Sequence, residues 1–121
     1  MNKIPDGFHI HLNGGGLVKN TAKVGDSVFV DTNARVSGNA RVSGDARVSG
    51  DAQVYGNAWV SGDARVSGDA WVSGDAQVYG DARVFDNAWV SGNAQVLGDA
   101  RVSSNAQVFS SALVSDNIIW S

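Results

Sequence analysis

Valine recurs at every sixth residue from Val18 to Val114 without interruption, and alanine stands two positions before most of these valines. In an Ala-x-Val alternation both apolar side chains point to one side of a short strand, because successive side chains in a strand face opposite ways. The Ser-Gly-Asp or Ser-Gly-Asn that follows is typical of a turn, since Gly accepts positive φ and Asp or Asn bonds its own backbone. Each six-residue unit therefore predicts one strand and one corner.

The outward positions repeat at a longer period of 18 residues. The tetrad Asp-Ala-Arg-Val occurs at 45–48, 63–66, 81–84 and 99–102 and nowhere else in the chain. Side chains on one outer face of a stack of coils must recur at the coil length, so three units make one coil. The sequence predicts an all-β triangular solenoid of about six coils, roughly 28 Å long at the ~4.8 Å spacing of stacked strands.

With this coil, the chain resembles the hexapeptide-repeat left-handed parallel β-helix family, in which an aliphatic residue, often followed by Gly, precedes a small residue by four places. The match runs from about Leu17 to the end of the chain. The chain departs from the pattern at Ser37, Ser43 and Ser49, where Gly, Ala or an acid is usual and the Gly is displaced by one place. It is similar to uncharacterised bacterial and prophage hexapeptide-repeat proteins, which implies a left-handed parallel β-helix and favours a phage or prophage origin.

The ends of the chain break the repeat and predict caps. Residues 1–16 form a predicted N-terminal capping segment and residues 17–121 the β-helix. Within 8–12, three apolar residues alternate with His9 and His11, which predicts a strand lying across the first coil. At 118–120 the bulky run Ile-Ile-Trp predicts a plug on the last coil. Covers are needed because an open strand edge templates association.

One predicted face carries a ladder of charges. Its outward residues include four arginines, each preceded two residues earlier by an aspartate. A paired, solvated surface is the simplest interpretation, since exposed ion pairs contribute little stability. The alternative is an anion-binding strip, because guanidinium groups take phosphate or carboxylate through paired hydrogen bonds. The arginines in question are Arg47, Arg65, Arg83 and Arg101.

The two other faces carry exposed aromatic residues. Such rows are typical of subunit interfaces, which favours a homo-oligomer, and the resembled family often forms trimers. Two alternatives stay open: the rings stack on one another along the solenoid, or they form a platform for sugar rings or bases. The predicted interface residues are Tyr55, Trp59, Trp71, Tyr79, Trp89, Leu97 and Phe109.

The best-known members of the resembled family are acyltransferases that present a catalytic histidine from a coil, and others are zinc enzymes that use three histidines. This chain has no histidine after His11 and no glutamate. Acid–base catalysis needs a group that titrates near neutrality. We therefore expect no enzymatic activity and no cofactor, with a degenerate acyltransferase as an alternative.

His9 and His11 form an H-x-H pair, two-thirds of a zinc site that a three-fold axis would complete. A capping role is the preferred interpretation.

Net charge −3 and pI near 5.0 argue against binding to a nucleic-acid backbone. With no cysteine and no long apolar run, the expected location is cytoplasmic, with a virion also compatible. The predicted function is a structural scaffold or binding module, self-associating or binding a protein or a small anionic or nucleotide-like ligand between subunits.

Overall fold

The six-residue unit folds as predicted in the computed structural model, which describes residues 6–115 and the strand at 119–120. Each unit gives a strand whose outward residue precedes an inward valine, and a corner follows. The described residues contain a three-residue antiparallel strand, β1 (Phe8–Ile10), followed by strands that stack in parallel into three faces. No helix able to cross a bilayer occurs in this part of the chain.

The strands of each face stack in chain order, from the N-terminal end of the solenoid to the C-terminal end. Face A contains β2 (Leu17–Lys19), β5 (Arg35–Val36), β8 (Gln53–Val54), β11 (Trp71–Val72), β14 (Trp89–Val90) and β17 (Gln107–Val108). Face B contains β3 (Lys23–Val24), β6 (Arg41–Val42), β9 (Trp59–Val60), β12 (Gln77–Val78), β15 (Gln95–Val96) and β18 (Leu113–Val114). Face C contains β4 (Phe29–Val30), β7 (Arg47–Val48), β10 (Arg65–Val66), β13 (Arg83–Val84), β16 (Arg101–Val102) and β19 (Ile119–Trp120).

The register confirms the 18-residue coil on every face. Arg65 pairs with Arg47 on one side and Arg83 on the other, and Trp71 pairs with Trp89. Five 18-residue steps separate the first strand of a face from the last. The predicted all-β left-handed parallel β-helix, with its short N-terminal strand, is confirmed.

The core is a column of valine and alanine along the solenoid axis. From Ala34 to Val102, the inward residues of every strand have relative exposures of 0–1%. Val28 takes the place of alanine in the first coil and is also buried. Each buried valine contributes about 1.5–3 kcal/mol by leaving water, and its contacts are with its own and neighbouring coils. Many similar contributions, one from each buried side chain, therefore stabilise the folded state.

The corners are held by the backbone. The amide of Asp63 donates to the carbonyl of Gly80 one coil further on, at 2.9 Å, and the same bond repeats around the solenoid. Most corner glycines have positive φ, such as Gly74 at 65°. Asp86 and Ser104 take the same conformation at φ of 60° and 55°. The predicted need for positive φ is correct, and it also holds where the sequence has no glycine.

The N-terminal segment covers two strand edges of the first coil. The predicted N-terminal strand is present as β1, and it pairs antiparallel with β2 of the same chain. The segment that follows reaches β4, because Gly16 N–H donates to the Val30 carbonyl at 2.8 Å and Val30 N–H donates to the main-chain carbonyl of Asn13 at 3.0 Å. A Cβ at Gly14 or Gly16 would overlap Val30, so these glycines permit close approach as well as a tight reversal. The predicted plug at 118–120 lies outside the described side chains.

Candidate functional site

Face A carries a continuous aromatic patch. Because β11 and β14 pair in register, Trp71 and Trp89 stack with ring centroids 4.9 Å apart and planes 3° apart. Tyr55, at the corner after β8, meets Trp71 edge-on at 6.0 Å. Trp89 remains 46% exposed and Trp71 is half-buried. Stacking of the rings along the solenoid, one of the alternatives left open by the sequence, is present. The stacked rings still expose a large apolar edge.

The other predicted interface residues divide between two places. Phe109, at the corner after β17, is 58% exposed beside face A. Trp59 lies on face B, apart from the face A tryptophans, and is 47% exposed. Tyr79 and Leu97 follow strands of face B, and the Tyr79 hydroxyl donates to Gln95 Oε1 at 3.5 Å. The predicted set thus forms two groups on neighbouring faces.

A cation–π contact on face B was not predicted. The guanidinium of Arg41 lies 5.4 Å from the centroid of the Trp59 ring. Both residues lie in the same outward row, 18 residues apart, so the coil period of the sequence could have predicted this contact. They line a cleft of about 650 Å³ together with Lys23, Ser61 and His9. This cleft combines positive groups with an apolar floor that includes Val24 and Val42, at the N-terminal end of face B.

Face C forms a shallow groove of about 1130 Å³. The four predicted arginines stand in register along it, and four aspartates line the same groove in a second row. The formal charges of these eight groups cancel. Among residues 6–115, no ion pair or side-chain hydrogen bond joins these aspartates to these arginines. The predicted charge ladder is therefore two parallel rows of opposite sign, open to solvent.

The two histidines of the N-terminal strand region have different surroundings. His11 is 4% exposed, and its Nε2–H donates to the Val28 carbonyl at 2.7 Å. His9 is exposed, and its Nδ1 bonds Asn20 Oδ1 at 2.6 Å. Within the described residues no group of three or more histidines and carboxylates is placed to hold a metal ion. The geometry gives His11 a capping role, because it satisfies a backbone carbonyl at the end of the core.

We expect His11→Ala to lower the free energy of unfolding by about 1–3 kcal/mol, because it leaves the buried Val28 carbonyl without its donor. His9→Ala is the matched control on the same segment, since it removes only an exposed hydrogen bond. Urea denaturation followed by circular dichroism measures both. Equal effects of the two substitutions would contradict a cap that acts through His11.

Comparison with family models identifies the repeat. Residues 34–50, 40–55, 58–74 and 76–93 match the model described as the YdcK beta solenoid repeat. The chain is a β-solenoid repeat protein. The matched segments include the tryptophans of faces A and B and three of the four Asp–Arg pairs of face C. The predicted membership of a repeat β-helix family is confirmed. Comparisons with curated proteins and with solved structures find no match.

Proposed function

We propose that this β-solenoid is a non-catalytic structural module that associates with copies of itself through the aromatic residues of faces A and B. The observation that carries the proposal is the patch of Tyr55, Trp71 and Trp89, which keeps a large apolar area exposed after the rings have stacked. Tryptophan and tyrosine dominate the energetics of protein interfaces. A lone solenoid has no internal site that would bury them.

The stacked geometry favours a protein partner over a flat ligand. Each of Trp71 and Trp89 uses one ring face for the other, and Trp71 also makes a T-shaped contact with Tyr55. A platform for sugars or bases works by offering free ring faces. A partner surface instead covers the exposed indole edges by shape, together with neighbours such as Phe109.

A three-fold assembly fits the distribution of these residues. The aromatic groups occupy two adjacent faces, so a contact between face A of one copy and face B of the next joins two different surfaces. Such a contact closes into a ring when its rotation allows. The resembled family often forms trimers, and face C would then look outward from the ring.

We expect the double substitution Trp71→Ser and Trp89→Ser to dissociate the oligomer while the solenoid stays folded, because the Val and Ala core is untouched. Native mass spectrometry and light scattering report subunit number, and circular dichroism reports the fold. Three subunits are expected for the unaltered protein and one for the variant.

The matched control replaces Gln53 and Gln107 by Ser. These residues flank the two tryptophans on the same row, so the control alters the same face without removing an aromatic ring. It should keep the subunit number of the unaltered protein. An aromatic variant that remains assembled, or an unaltered protein that is monomeric at tens of micromolar, would overturn the proposal.

A second candidate is the binding of small anionic or nucleotide-like ligands by the arginines of face C. The groove and the row of four guanidinium groups favour it. The aspartates along the same groove oppose it, since they bring its formal charge to zero and would repel a polyanion. We therefore place anion binding second to self-association.

The lack of histidine and glutamate in residues 17–121 supports the non-catalytic part of the proposal. All coil residues after Leu17 lack histidine and glutamate, and His11 is engaged with Val28. Acyl transfer needs a base within reach of the hydroxyl or amine that it activates. A phage or prophage origin, a virion location and capture of a host protein follow only from the resemblance and remain predictions.

A further inference from the structure

The two rows of face C have the same spacing and opposite signs. Backbone pairing sets the arginine row, in which Arg47, Arg65, Arg83 and Arg101 follow one another at one-coil intervals of about 4.8 Å. The corner hydrogen bonds set the aspartate row at the same interval, since Asp45, Asp63 and Asp81 donate to Gly62, Gly80 and Gly98. Such a surface presents a periodic pattern of charge that few ligands could match.

We propose that face C binds face C of a second copy of this chain, with the two solenoid axes parallel. The support is charge complementarity, because a two-fold axis parallel to the solenoid exchanges left and right across the contact. Each arginine row then lies opposite the aspartate row of the other copy. The surface is self-complementary in this arrangement, as an isologous interface requires.

The antiparallel arrangement is excluded by the same reasoning. A two-fold axis that lies in the contact plane and crosses the solenoid reverses its direction without exchanging left and right. Arginine would then face arginine and aspartate would face aspartate. Like charges placed opposite each other across an interface cost several kcal/mol, so charge alone selects the parallel orientation.

The contact aligns the copies coil by coil. At zero offset, four arginines of each copy meet four aspartates of the other, which gives eight Asp–Arg contacts. A shift by one coil leaves an unmatched charge at each end of both rows. The pattern therefore specifies register as well as direction, which is what charged groups at interfaces do best.

The face is small, so the contact is weak alone. The face measures about 24 Å along the axis, over five coils, and about 10 Å across, over three residues. Its area is well below the roughly 1,000 Å² that stable interfaces bury. Desolvation of the charges offsets much of their attraction. The association is thus expected at high protein concentration and low ionic strength. It would join solenoids already assembled through other faces, because several weak contacts then act together.

Orientation can be tested by disulfide trapping, because the chain has no cysteine of its own. In the parallel arrangement Asp45 lies opposite Arg47 of the other copy, whereas in the antiparallel arrangement Arg47 lies opposite Arg101. We expect a mixture of D45C and R47C variants to cross-link at low salt. A mixture of R47C and R101C should not. Cross-linking should fall roughly tenfold in 0.5 M NaCl, where exposed charges are screened.

Charge exchange provides a second measurement that does not depend on cysteine. One variant carries Arg65→Asp and Arg83→Asp, and the other carries Asp63→Arg and Asp81→Arg. Each variant alone should lose the face C association in sedimentation velocity, and an equimolar mixture should restore it. Circular dichroism checks that both variants remain folded, which is expected since all four side chains point outward.

Three results would overturn the proposal: equal cross-linking of the two cysteine mixtures, failure of the charge-exchanged mixture to associate, or association that is insensitive to salt. A fourth would replace it. Saturable uptake of inorganic phosphate that Arg65→Gln with Arg83→Gln abolishes, without any face C association, would make the groove an anion site. At high protein concentration and low salt, the Trp71→Ser and Trp89→Ser variant should still cross-link through face C, which separates this test from the aromatic interface.

Discussion

Deletion of residues 73–78 is expected to leave the solenoid folded while separating Trp71 from Trp89. The segment is one complete unit, a corner followed by a strand, and every unit supplies the same inward alanine and valine. Its removal keeps the core pattern continuous but moves everything after it by one face. Trp89 would then lie on face C, next to Arg65, instead of stacking on Trp71.

The measurement combines far-ultraviolet circular dichroism, which reports the fold, with near-ultraviolet circular dichroism, which reports the coupled indoles. Deletion of 37–42 is the matched control, because it also removes one unit but leaves both tryptophans on the same side of the cut. We expect the control to keep the indole signal and the 73–78 deletion to lose it. The 73–78 deletion should also disrupt the aromatic interface proposed for face A.

A deletion of half a unit should have a far larger effect. Loss of residues 73–75 joins Val72 directly to Ala76, which removes a corner and breaks the match between sequence and coil. Each later strand then reaches its neighbour out of register, so the Val and Ala core cannot form across the cut. We expect the cooperative unfolding transition to be lost, which corresponds to a decrease of several kcal/mol in the free energy of unfolding. Equal behaviour of the 73–75 and 73–78 deletions would show that the six-residue unit is not the unit of folding.

These deletions rest on the part of the fold that could be predicted from sequence. Repetition fixes the coil length, the inward column and the membership of each face, because every coil must bury the same surface against the next. The positions of Trp59, Trp71 and Trp89 followed from counting alone. Their side-chain geometry did not, since a period gives the place of a ring and not its tilt.

The N-terminal cap shows where prediction from a repeat ends. The alternation around His9 and His11 correctly predicted a strand, but the burial of His11 against Val28 and the path of 13–16 along β4 were not foreseen. The sequence of this cap is not repeated in the chain, so its pattern is read from a single copy. Its contacts depend on the particular shape of the first coil.

The corner glycines give the second large effect. We expect Gly74→Ala to reduce the free energy of unfolding by about 2 kcal/mol or more. Gly74 has φ of 65°, which costs an L-residue roughly 1–2 kcal/mol. An added Cβ would also lie 2.9 Å from the amide nitrogen and 3.0 Å from the carbonyl oxygen of Gly92, one coil away. Both atoms belong to the backbone, so neither can turn aside as a flexible side chain would.

Gly25→Ala is the matched control, because its added Cβ would meet no atom closer than 3.8 Å and its φ is not in the left-handed region. We expect a change in the stabilising direction of about 0.4–1 kcal/mol, since alanine restricts the unfolded chain. Ser110→Gly tests the φ contribution at the end of the Gly74 column, where Ser110 is held at 59°. Its free energy of unfolding should rise by up to about 1 kcal/mol. This is the cost of the left-handed conformation for serine minus the entropic cost of ordering glycine.

Urea midpoints rank the three variants, and native-state hydrogen exchange locates the effect along the axis. Because each coil contacts only its neighbours, Gly74→Ala should lower protection in the coils around Gly56 and Gly92 and leave the first coil unchanged. A uniform loss of protection would mean that the solenoid unfolds as one unit. An unchanged midpoint would mean that the corner widens at no cost, against the close backbone stacking that holds the coils together.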